Sequence, residues 1–241
     1  MTPEEAARAS DRAVADIASK FMLDPTTYKR GAQLGYPGAS FYFVGRGGAL
    51  GDVSADVVSA AFVFFNPESV RQAWADGASA APPPEAAVEF AKCGHAWAEE
   101  HMPDDIDLAH LSELCGKIVR GANPAGAPVF AGWRDLVEPS SVKALALHRL
   151  NALRELRGAL HGAAVLSVGL DPAVAVAIKS PFMLPIFGWA EAPEVTTEAT
   201  NTWQRAEDTT NLMLAPHFAL LDETEREHLV DLANATLAAI S

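Results

Sequence analysis

The sequence predicts an all-α fold, a multi-helix bundle around one long central helix. Three observations lead there. Apolar residues recur at helical period along most of the chain, and cap and breaker residues punctuate those stretches. The one short aromatic run that could be a strand, residues 41–44, has no second alternating run to pair with, so helix or turn is expected there.

Taken in order, Thr2-Pro3-Glu4-Glu5 forms a capping box with proline at the first helical position, and Ala6, Ala7, Val14, Ile17, Ala18 and Phe21 line one face of the helix it opens. Pro25 opens a second, short helix that Gly35 and Pro37 end. Ser54 is suited to cap a buried helix through Val57, Val58, Ala61 and Phe62, and Asn66-Pro67 breaks it and opens the next, toward Trp74. Residues 76–87, DGASAAPPPEAA, look like an exposed linker. Helices are expected over about 84–102 and 108–119, and residues 120–136 start as loop. From Ser140 or Ser141 to Val168 no proline intervenes, which predicts a central, well-buried helix much longer than the usual three turns. Asp171-Pro172 starts a short helix, and SPFMLPIFGW, residues 180–189, is an apolar loop suited to line a pocket, close the core or form a dimer contact. The tail offers one helix over about 197–214 and a last one from Asp222, where Asp222 and Glu225 repeat the capping-box spacing. Two interleaved helical subdomains, residues 1–80 and 81–241, share the central helix 140–168 or merge into one domain.

Composition limits the function classes. A net charge of −13 without any Lys/Arg run works against binding nucleic acid phosphates. No apolar run is long enough to span a bilayer, and the N-terminus lacks the basic segment of a secretory signal, so a cytoplasmic protein without a membrane partner is expected. Cys93 and Cys115 are expected to be free thiols. There is no nucleophile elbow, Walker A loop or dinucleotide fingerprint, and no cofactor is assigned. Cys93, His95, Glu99 and His101, the Glu225/His228 pair and the Asp107/His110 pair are expected on solvated faces, so no metal is assigned.

The central helix holds the most informative stretch. LRELRGALHG places Arg154, Arg157 and His161 on one side of the helix. On a helical wheel, Val142, Leu145, Leu153, Leu156, Leu160 and Ala163 share a sector, with Leu147, Leu150 and Val165 beside it, next to these cations. Ala144, His148, Asn151, Glu155, Gly158 and Gly162 remain as a polar or small face. A buried arginine needs a partner. Either neighbouring helices supply carboxylates and His161 is a satisfied core residue, or the stripe is an anion-binding or acid/base site.

LHRLNALRELRGALHGAAV, with His148, Arg154, Glu155, Arg157, Gly158 and His161, resembles a segment of an actinobacterial family of cytosolic proteins labelled as helix-turn-helix. YFVGRGGALGDV and the following FNP, with Gly45, Arg46, Leu50, Gly51, Phe65 and Pro67, are similar to a second motif of that family, Gly188-Trp189 to a third and RAEDTTNLML to a fourth. The chain departs from the family at Ala49, where proline is usual, at Ala159-Leu160, and at Asn211. Only AEAPEV separates Trp189 from Thr196, where relatives carry a helix, a turn and a wing, so the resemblance implies a reduced winged-helix-like C-terminal part. It also implies a pocket between the glycine-rich Arg46 turn and the central helix. In that turn, backbone amides and the guanidinium could meet an anion, or the glycines could make a tight corner at positive φ.

The resulting expectation is a cytosolic protein that binds, and as an enzyme acts on, a small anionic or aromatic molecule. Arg46, Arg154, Arg157 and Trp189 would hold it and His161 would be general acid or base. The alternatives are a ligand-responsive transcription regulator and a structural or dimerising protein without a ligand. Partners are accordingly a small molecule, with a homodimer left open and nucleic acid disfavoured.

Overall fold

The computed structural model describes residues 1–241 and holds twelve α-helices and no strand. They are α1 (Pro3–Leu23), α2 (Pro25–Gln33), α3 (Ser40–Gly47), α4 (Ala55–Ala61), α5 (Pro67–Ala78), α6 (Pro83–His101), α7 (Leu108–Gly121), α8 (Pro128–Asp135), α9 (Val142–Ser167), α10 (Pro172–Lys179), α11 (Thr197–Phe218) and α12 (Glu223–Ala239). Both capping boxes form, Thr2 with Glu5 and Asp222 with Glu225, and each N-cap stabilises its helix by about 1 kcal/mol. Ser54, Asn66, Ser141 and Asp171 cap α4, α5, α9 and α10 through their side chains.

The α9 helix is the spine. It packs against α1, α6, α7, α8 and α11, so neighbours cover it on nearly every side. This overturns one expectation from the wheel: Ala144, His148, Asn151 and Glu155, placed on a polar or small face, are all buried. A wheel sorts residues by type, whereas here polar partners on α3 and α6 cover that face too. The supposed linker is also different. Helix α5 runs to Ala78 and α6 starts at Pro83, leaving only residues 79–82 between them, with Gly77 and Pro83 buried. The run of prolines starts a helix instead of extending a loop, since proline at the first turn lacks only an N–H that would have no partner anyway.

One large hydrophobic cluster runs from Ala6 to Ala233, with Phe21, Phe41, Phe62, Phe90, Phe130 and Trp133 fully buried in it. A small second cluster of Ala164, Val165, Leu170, Ala175 and Ala206 ties the end of α9 to α10 and α11. Between α9 and α10 the chain turns by 117° across four residues, with Gly169 at φ 72°, a left-handed conformation that glycine adopts without a Cβ penalty. No single helix is long and apolar enough to cross a membrane; α9 and α10 reach that length only together, across this bend. Residues 189–196 carry neither helix nor strand and lead straight into α11.

Candidate functional site

Close approach of α3 to α6 positions the first group. At Gly45 an added Cβ would stand 2.5 Å from Phe90 Cγ, so only glycine lets α3 lie this deep, one residue before Arg46. The Arg46 side chain, 10 % exposed, donates from Nε and Nη2 to the two oxygens of Glu155, 2.8 Å each. Arg46 also lies over the Phe62 ring at 4.3 Å, and Trp133 Nε1 donates to its carbonyl. Arg154 Nη1 donates to the same Glu155 carboxylate at 2.8 Å. Burial pushes the Glu155 carboxyl up, but the Arg46 and Arg154 guanidiniums outweigh it and hold it below its ordinary value. Glu155 is thus a carboxylate shared by two arginines, one buried and one reaching toward solvent. Of the glycine-rich turn, only Gly51 has positive φ; Gly45 and Gly47 are helical, so packing and not conformation demands them.

A second group lies further along α9. Arg157 Nη2 donates to Glu207 Oε2 at 2.7 Å, and its Nε is 2.5 Å from Asp11 Oδ1, an ion contact without hydrogen-bond alignment. His161 Nδ1 lies 3.0 Å from Thr210 Oγ1, which itself lies 2.7 Å from the Ala206 carbonyl. The threonine has one proton and gives it to that carbonyl, so it accepts from His161. The bonding pattern thereby assigns the proton to Nδ1 and leaves a lone pair on Nε2. That lone pair stands 3.6 Å from Glu207 Oε1, a second acceptor. Burial first, then Arg157 and Lys179, push His161 down to about 3, so the imidazole is neutral. Burial also raises Asp11, with Arg157 opposing. Phe64 stacks on the His161 ring at 5.3 Å, and Trp189 Nε1 donates to the Phe64 carbonyl at 2.9 Å.

The five expected site residues therefore fall into two clusters on one helix. Arg46 and Arg154 share Glu155; Arg157 and His161 share Glu207; Trp189 reaches His161 only through Phe64. No contact joins Arg46 to His161. Each arginine has a carboxylate from the protein, and two small cavities beside α9, one lined by Ser10, Asp11 and Arg157 and the other by His95, His148 and Asn151, hold about 10 Å³ each, the space of a single water. Sequence reasoning assigned no role to Asp11, Glu207 or Thr210, although the last two stand on the E-x-x-T motif.

Helices α9 and α10 have the dimensions of a helix-turn-helix unit, two helices at 90–120° joined by a short turn containing glycine. A family model described as "Helix-turn-helix family" matches residues 7–185, most of the chain. The chain belongs to the helix-turn-helix family. No curated protein and no solved structure matches it. Membership puts nucleic acid among the partners to weigh in this helix-turn-helix protein, against the expectation from its charge. Helix α10, PAVAVAIK, carries Lys179 as its one charged side chain, and that ammonium lies 5.6 Å from the centre of the Trp203 ring. The winged part implied by the resemblance has no strand to build a wing.

Proposed function

We propose that this helix-turn-helix protein binds a small molecule carrying a hydroxyl or amine donor, at the cluster formed by Asp11, Arg157, His161 and Glu207. The observation that carries this is the spacing of His161 Nε2 and Glu207 Oε1, 3.6 Å and too long for a hydrogen bond, while Thr210 engages Nδ1. Two acceptors at that distance favour an inserted N–H or O–H, and the neutral imidazole is able to accept it. The same lone pair is where a proton would be taken in catalysis. Asp11, Arg157, His161 and Glu207 are each 11–19 % exposed, so the cluster is screened yet open to solvent. With carboxylates already on Arg46, Arg154 and Arg157, a donor-bearing ligand fits better than the small anion expected from sequence. The cavity beside Asp11 and Arg157 holds about 10 Å³, so the donor must be small, an ammonium ion or a short amine such as methylamine.

The test is a titration with ammonium chloride and methylamine, followed by histidine-ring NMR shifts in wild type and His161→Phe. Saturable shifts at His161 that vanish in the variant, with its melting transition intact, support the site. Equal binding by both proteins contradicts it.

A transcription regulator is the second reading, favoured by family membership and the α9–α10 bend. Fluorescence anisotropy with random-sequence duplex DNA at low ionic strength decides it, and the acidic surface and apolar α10 predict no binding.

A further inference from the structure

A second polar group on α9 is independent of the proposed ligand site. His148 is buried against α6, where its Nδ1 lies 3.2 Å from His95 Nε2. Asn151, one turn further on the same face of α9, is 1 % exposed, and neither atom of its amide has a hydrogen-bond partner. All three side chains line a small cavity together with Phe21, Gly94 and Trp133. An unpartnered buried amide is costly, about 1–3 kcal/mol for each polar group left without a partner, and so points to an occupant of the cavity.

We propose that this cavity is a site for a first-row divalent transition-metal ion such as Zn²⁺, held by His95 Nε2, His148 Nδ1 and the Asn151 side-chain oxygen. Two imidazoles on one tetrahedral ion, each bond about 2.0–2.1 Å, have nitrogens roughly 3.3–3.4 Å apart, close to the separation present here. A cavity of about 10 Å³ admits an ion or one water and nothing larger. Imidazole and amide donors select borderline ions over Ca²⁺ or Mg²⁺. Glu99 acts on His95, and Glu138, opposed by Arg149, acts on His148, so carboxylate charge near both rings moderates the cation's own. The surface supplies a control: His110 Nε2 and His228 Nδ1 are also 3.2 Å apart, with no buried amide beside them.

The experiment is a titration of the metal-free full chain with Co²⁺, read by visible absorption, with Zn²⁺ competition. One tightly bound ion is expected, with affinity at least tenfold weaker in His95→Ala and His148→Ala, several-fold weaker in Asn151→Leu and unchanged in His228→Ala. Asn151→Asp, which supplies a charged oxygen, should bind more tightly. Zn²⁺-induced shifts of the His95 and His148 rings in wild type give a readout that no variant's folding can spoil. Absence of saturable binding, or binding lost in His228→Ala and kept in His148→Ala, overturns the site.

Discussion

Replacing Glu155 with glutamine keeps its shape and removes its charge, which isolates the electrostatic role of the Arg46–Glu155 pair. The carboxylate is 1 % exposed and takes three of its hydrogen bonds from two guanidiniums, so Glu155→Gln leaves the Arg46 charge buried and uncompensated. Breaking one side of a buried pair costs about 3–5 kcal/mol. Against a typical total of about 5–15 kcal/mol, that is at least about a fifth of the stability and in a marginal protein most of it. In a chain of this size it corresponds to a drop of roughly 6–20 °C in melting temperature. Arg154, 22 % exposed, adds little because solvent reaches it. Urea unfolding followed by far-UV circular dichroism measures the loss. The double variant Arg46→Met, Glu155→Leu removes both charges and should recover most of it, since apolar replacement of a buried pair is neutral or stabilising. A loss below about 1 kcal/mol in Glu155→Gln, or a double variant as unstable as the single one, refutes the reasoning.

Three further outcomes follow from other parts of the molecule. His148 and His161 have folded values of about 4 and about 3, below the unfolded value near 6.5, so the unfolded chain binds more protons in between. Their contribution is therefore complete above about pH 6.5 and is lost as pH falls, by about 2 kcal/mol each at pH 5; His161→Phe should remove about half of that decline in a pH series of urea midpoints. Helix α9 tests glycine packing: a Cβ at Gly158 meets nothing within 4 Å, so Gly158→Ala should stabilise by about 0.5–1 kcal/mol, whereas at Gly162 it stands 2.9 Å from Val63 and Gly162→Ala should destabilise. Burial pushes the thiols of Cys93 and Cys115 up to about 11 and about 12, so both should react slowly with Ellman's reagent at pH 7 and rapidly once the chain is unfolded.

Much of the fold was legible because caps and breakers are local. Thr2, Ser54, Asn66, Ser141, Asp171 and Asp222 start helices where their side chains predicted. The all-helical class and the long spine followed from the same signals. The inner face of α9 was harder, because what covers a polar residue lies far away in sequence: Arg46 is 109 residues from Glu155, and His95 is 53 from His148. Gly158 and Gly162 shared the small face of the wheel, yet only Gly162 is the one that Val63 presses on, a difference set by what lies opposite. The arginines were expected to need a carboxylate or a ligand anion, and each has a carboxylate from the protein. Those acceptors, Asp11, Glu155 and Glu207, lie on α1, α9 itself and α11, and no spacing rule links α1 to α11.

The protonation of His161 bears most directly on the acceptor pair that the proposed ligand site requires. Ring ¹⁵N NMR of the free protein at pH 7 distinguishes the three states of its imidazole. A neutral ring protonated on Nδ1, with an unprotonated Nε2 that shifts on adding methylamine, is the expected result. An imidazolium, or a ring carrying its proton on Nε2 toward Glu207, would contradict the account, because the pair would then already hold the donor it is proposed to take from a ligand.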